Sequence, residues 1–180
     1  MTSPSPMSQK VSKTSATLTA ETPTVARQPE GIGKRVGEIA EITVIVPVKP
    51  GGAEKFRKNA AKYQDDAWHY EALVGTVHDF RVTFINNDTQ LVLAVSYDGD
   101  FKPYLADIVA NAAPWFDEMF ADVIEGWPGS NAAGFVQWLA SQIVEADVWY
   151  ASNPTMTVKD TTKAQKVIRA MDTLLDAASG

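Results

Sequence analysis

The stretch from Val74 to Tyr97 constrains this chain more than any other. Two runs of alternating apolar and polar side chains flank Asn86-Asn87-Asp88. Asn and Asp tolerate positive φ, so the triplet reads as a hairpin turn between strands at about Val74 to Ile85 and Thr89 to Tyr97. With Asn87-Asp88 as a two-residue loop, Phe80 faces Val95, Val82 faces Leu93 and Phe84 faces Leu91. On the other face Asp79 meets Ser96, Arg81 meets Ala94 and Thr83 meets Val92. The first set is apolar in every pair and the second is mixed. A slip of one residue would destroy that separation. His78 falls opposite Tyr97 in this register.

A β-branched run from Glu38 to Val48 forms an earlier strand. Ala40, Ile42, Val44, Val46 and Val48 share one face; Glu41, Thr43 and Ile45 share the other. Lys49-Pro50-Gly51-Gly52 ends it, and a helix from Ala53 to Leu73 carries Phe56, Ala60, Tyr63 and Ala67 as one apolar stripe. After the hairpin, Asp98-Gly99-Asp100 turns into a helical region from Phe101 to Ile124, interrupted near Pro114. Asp98 or Asp100 is expected to cap it. A helix over residues 131–145, a short fourth strand over residues 146–152 and a last helix from near Thr157 complete the chain. Asp160 stands three residues after Thr157, and Val167, Met171, Leu174 and Leu175 give the last helix an apolar face.

The order β-α-β-β-α-β predicts an α+β fold of ferredoxin-like type, a four-stranded antiparallel sheet with helices on one side. The assigned domain runs over residues 36–180. Residues 1–35 are expected to form a disordered tail, because Ser, Thr and Pro dominate there and large apolar side chains are few.

Composition excludes several classes. The net charge is −6; residues 1–30 hold +1 of it, three cations against two acids, so the rest carries −7. An acidic domain repels phosphate backbones, and no nucleic-acid partner is expected. No apolar run approaches the ~18 residues that cross a bilayer. With no cysteine there is no disulfide framework, thiolate nucleophile or Cys-based zinc site, and the expected location is the cytoplasm.

The segments Val77-His78-Asp79-Phe80-Arg81, Ser96-Tyr97-Asp98-Gly99-Asp100-Phe101, Tyr104-Leu105-Ala106-Asp107 and Glu125-Gly126-Trp127-Pro128 are similar to poorly characterised bacterial modules of the dimeric α/β-barrel superfamily. Some of these stand beside peroxidase- or catalase-like domains. The resemblance covers about residues 74–160 and implies fold far more than activity. It implies a homodimer whose two sheets close a barrel, and it allows a role accessory to oxidative metabolism. No heme is expected: the last helix has no histidine to ligate iron, and Ser96-Tyr97-Asp98-Gly99 lacks the first glycine of the dye-decolorising peroxidase pattern Gly-x-x-Asp-Gly.

A small-molecule cavity is expected on the open sheet face, with Thr43, Asp79, Arg81, Ser96, Tyr97 and Trp149 as ligand-binding candidates. His78, Asp79 and Arg81 are the candidate catalytic groups. Arg81 could anchor an anion and Asp79 act as a base, or the two could form a structural ion pair at a dimer interface. His78 against Tyr97 reads equally as a structural contact. Asp98 and Asp100 have no third carboxylate beside them, so no metal site is expected. Whether the chain is an enzyme stays open: a binding protein, a cofactor-independent monooxygenase or isomerase, and a scaffolding dimer all fit.

Overall fold

The computed structural model describes residues 23–28 and 32–179. The fold is α+β, with a six-stranded antiparallel sheet and four helices. The elements are β1 Ala26–Arg27, β2 Lys34–Val36, β3 Ile39–Pro47, α1 Gly52–Val74, β4 Val77–Ile85, β5 Gln90–Asp98, α2 Phe101–Phe120, α3 Phe135–Ser141, β6 Ile143–Val144 and α4 Val158–Ser179. β5 lies between β3 and β4. On its other side β3 pairs β2 at one end and β6 at the other, and β1 pairs β2.

The hairpin register is as the alternation requires, from Asp79↔Ser96 to Phe84↔Leu91. The turn is longer than two residues. Ile85 pairs Gln90, and Asn86, Asn87 and Asp88 all take positive φ, at 52°, 54° and 66°. Asp88 receives both guanidinium nitrogens of Arg57 at 2.6 Å, which ties the turn to α1.

Alternation in β3 and β5 decides where the core lies. Ala40, Ile42, Val44 and Val46 are buried with Leu91, Leu93, Val95 and Tyr97 on one face. Tyr104, Leu105, Ile108, Phe116 and Phe120 of α2, with Phe135 and Leu139 of α3, close that face. α1 packs beside α2 through Tyr70 stacked on Trp115, with 5.1 Å between ring centroids, and Lys62 paired to Glu118 at 2.6 Å. α2 runs unbroken through Pro114. Pro114 is exposed, so solvent can take the carbonyl its ring leaves free.

Several expectations need correction. No strand forms over residues 146–152. The chain leaves α3 and pairs β3 at once, with Ile45 N–H donating to Gln142 O at 3.1 Å and Thr43 opposite Val144. Val148 and Tyr150 beyond are 89% and 79% exposed. The helix expected over residues 131–145 is confined to Phe135–Ser141. α4 has its expected start, with Thr157 Oγ1 donating to Asp160 Oδ2 at 2.7 Å, but none of its residues is buried.

The expected tail lies largely outside the described residues. Its described part is not tail: β1 and β2 extend the sheet, and Gln28 is 3% exposed. Gln28 Nε2 donates to Tyr97 Oη at 2.9 Å, and its Oε1 accepts the Phe101 backbone N–H at 3.0 Å. Gln28, not Asp98 or Asp100, therefore satisfies a free N–H in the first turn of α2. Gly33 shapes the turn that brings it there: its φ is +68°, and a Cβ would lie 2.0 Å from Glu41 O.

Gln28→Ala should lower the free energy of unfolding by about 2 kcal/mol, since it orphans a buried donor and a buried hydroxyl. Urea denaturation measures this. An unchanged midpoint would show that the β1–β2 segment does not hold α2.

Candidate functional site

A cavity of about 510 Å³ lies between α1, β4 and α2. It is on the helix-covered side of the sheet, not on the open face where the sequence placed it. The reason is local to β4. Phe80, Val82 and Phe84 are only half-buried, whereas their β5 partners Leu91, Leu93 and Val95 are buried. Opposite β4 the helices present Ala60, Ala67 and Ala112, side chains too short to fill the gap. The walls are mainly aromatic: Phe56, Tyr63, Tyr70, Phe80, Trp115 and Phe116. Trp115 is 7% exposed, and its indole N–H has no hydrogen-bond partner among the described residues.

Polar groups reach the cavity from two elements. α1 supplies Gln64 and Glu71, with Trp68, which is 73% exposed, and β4 supplies His78 and Asp79. Glu71 follows Ala60, Gln64 and Ala67 at helical spacing, so one face of α1 carries both wall and acid. No hydrogen bond or ion pair engages its carboxylate among the described residues.

His78 does not pair with Tyr97. A β-bulge leaves it as the extra residue between Val77↔Tyr97 and Asp79↔Ser96. Freed from the ladder, its Nε2 lies 2.6 Å from Asp98 Oδ1. The other Asp98 oxygen accepts the Val158 N–H at the start of α4, at 2.8 Å. One carboxylate thus joins a cavity-wall imidazole to the last helix.

The other sequence candidates separate. Arg81 Nε meets Asp79 Oδ2 at 3.1 Å on the outer face, with the Arg81 side chain 68% exposed, so the two form a strand-surface ion pair. Asp79 also touches the cavity rim; Arg81 does not. Thr43 and Ser96 sit half-buried on the uncovered face. Tyr97 is in the core, stacked on Tyr104 with 3.9 Å between centroids. Burial is the main reason its hydroxyl is pushed up to about 12, against the lowering effect of Gln28. Trp149 is half-buried in the segment that forms no strand. Trp127, from the Glu-Gly-Trp-Pro segment, has a structural role: its indole donates to Asp117 Oδ1 at 2.8 Å and packs against Phe120, Phe135 and Trp138. The described residues contain no cluster of three His, Asp or Glu side chains, and no described helix is long and apolar enough to cross a membrane.

Glu41 is a buried acid that the sequence placed only on a mixed strand face. It is 4% exposed, accepts the Lys34 N–H at 3.1 Å and lies beside Thr43. Burial is the largest influence on its carboxyl and raises it above the usual carboxylate range, opposed by that hydrogen bond. Matches to protein-family models, to curated proteins and to solved structures are all absent for this chain.

An acid whose folded pKa lies above its unfolded value favours folding at low pH, and that contribution is lost as pH rises through the raised value. Glu41→Gln keeps an acceptor for Lys34 and removes the buried charge. The variant should be more stable than the parent at pH 7, with the difference closing as pH falls toward 4. Urea midpoints across that range measure it; a constant difference would assign the effect to packing.

Proposed function

We propose that this chain is a small-molecule-binding protein, a ferredoxin-like module that works as a homodimer. The carrying observation is the 510 Å³ aromatic cavity between α1, β4 and α2, a size typical of ligand sites. The ferredoxin-like reading rests on strand adjacency: β6, β3, β5 and β4 lie side by side in the split β-α-β order. The dimer rests on the uncovered sheet face, where Ile45, Ile85, Val92 and Ala94 stay half-buried among Thr43, Thr83 and Ser96. A copy of the same face would shield them under two-fold symmetry.

The ligand that fits has a flat apolar body and a cationic end. Aromatic faces attract cations, and Glu71 brings to the same space a carboxylate that is unpaired among the described residues. Trp68 is a large aromatic left in water beside the cavity, the condition of a side chain that gains contact when a ligand enters.

A second reading is a cofactor-independent enzyme, a monooxygenase or an isomerase. The His78–Asp98 contact favours it, because a carboxylate that orients an imidazole in a cavity wall gives that imidazole the geometry of a general base.

Calorimetric titration with 1-naphthylmethylamine and 1-naphthoate tests the binding reading. The amine should bind more tightly. Glu71→Gln should erase that preference by about tenfold or less, the scale of a partly exposed ion pair. Ala60→Phe should fill the cavity and remove binding of both. Failure of both compounds to bind, or unchanged binding in Ala60→Phe, would sink the proposal. Binding that survives Ala60→Phe but is lost in Val92→Arg would return the ligand to the sheet face.

A further inference from the structure

α4 carries an apolar stripe that none of the other described residues covers. Val167, Ile168, Met171, Leu174 and Leu175 are 54%, 59%, 56%, 68% and 58% exposed. With Ala164 and Ala178 they recur at three- and four-residue steps, the seam of a helix that packs against another helix. The helix has 22 residues, so the stripe lies along an element about 33 Å long. Among the described residues, the hydrogen bond that anchors it to the domain is in its first turn, where Val158 N–H donates to Asp98.

The charges say what covers it. From Val158 to Arg169 the helix holds Lys159, Lys163, Lys166 and Arg169 against Asp160, a net of +3. From Ala170 to Ser179 it holds Asp172 and Asp176 and no cation, a net of −2. This order opposes the helix dipole, which favours acids at the N-terminal end and bases at the C-terminal end. An isolated helix loses stability by it. An antiparallel copy of the same helix reverses that loss, since each basic half then lies beside an acidic half and the two dipoles oppose. A parallel pair would set like beside like.

We infer that α4 is a self-association helix that pairs antiparallel with α4 of a second copy of this chain. Removing the five large side chains from water in both copies would bury on the order of 1,000 Å², the lower bound for a specific interface. Ala170 and Ala177 lie on one shoulder of the stripe and let the axes approach closely. The contact is independent of the cavity and of the sheet face, so it can hold or fail separately from the proposed function.

The chain has no cysteine, so single introduced thiols report cleanly. Full-length chains with Ala164→Cys or Val167→Cys would be mixed with chains carrying Leu174→Cys or Ala178→Cys under mild oxidation. The mixtures should form disulfide-linked heterodimers, and each chain alone should link far less. Met171→Arg should weaken association at least about tenfold by placing charge in the seam, with the thermal midpoint of the dilute monomer unchanged because Met171 is 56% exposed in its own domain. Sedimentation at micromolar concentration reads both. Efficient linking of Ala164→Cys to itself would overturn the antiparallel arrangement. Association without cross-links between α4 helices would assign the contact to another face, and a monomer at every concentration would overturn the inference. Val92→Arg separates the two contacts: cross-linking should persist in it even if the sheet-face dimer is lost.

Discussion

The structure depends on one burial event, the packing of the apolar faces of β3 and β5 against α2. β5 alternates throughout and β3 does so from Ile42 to Val46, and both are central, so each is paired along its two edges. The rows Ala40-Ile42-Val44-Val46 and Leu91-Leu93-Val95-Tyr97 supply most of the sheet's buried surface. Each fully buried aliphatic side chain contributes roughly 1.5–3 kcal/mol relative to exposure. Everything else is attached to that layer: α1 through α2, β4 through β5, and the N-terminal strands through β3.

The cavity is what remains where this layer thins. Among the described residues β4 is an edge strand with only β5 beside it, and the helices above it set alanines at 60, 67 and 112 between their aromatic side chains. The edge is also where a bulge costs the ladder least. The bulge at His78 turns an imidazole out of the pairing pattern and onto Asp98. A space and a set of polar groups at its margin thus share one origin, the weaker packing of the edge strand.

Asp98 links parts of the molecule that the sequence sets far apart. It ends β5, receives His78 and holds the first N–H of α4. Gln28 does the same at the other side of that turn, joining the N-terminal strands to Tyr97 and to the first residue of α2. The partners of Asp98 lie 20 and 60 residues away and those of Gln28 lie 69 and 73 residues away. Buried polar atoms must find partners, and which partners they find is decided only when the core has formed.

The sequence by itself determined the hairpin register, the order of the main elements and the start of α4. Each rests on short-range rules: period-two alternation around Asn86-Asn87-Asp88, the Lys49-Pro50-Gly51-Gly52 break before α1, and the Thr157–Asp160 box. Tertiary structure decided the rest. Gln28 shows no strand pattern around it, yet it is buried because β3 had a free edge. The segment at 146–152 has the composition of a strand and forms none, because Ile143–Val144 had already taken the adjoining part of that edge. The ligand-binding candidates were chosen by which residues share a face, and that rule correctly grouped Asp79 with Arg81. It could not find the cavity, because an unfilled volume depends on the combined size of side chains from three elements. Alanines at 60, 67 and 112 look unremarkable one by one; only their convergence over β4 leaves space.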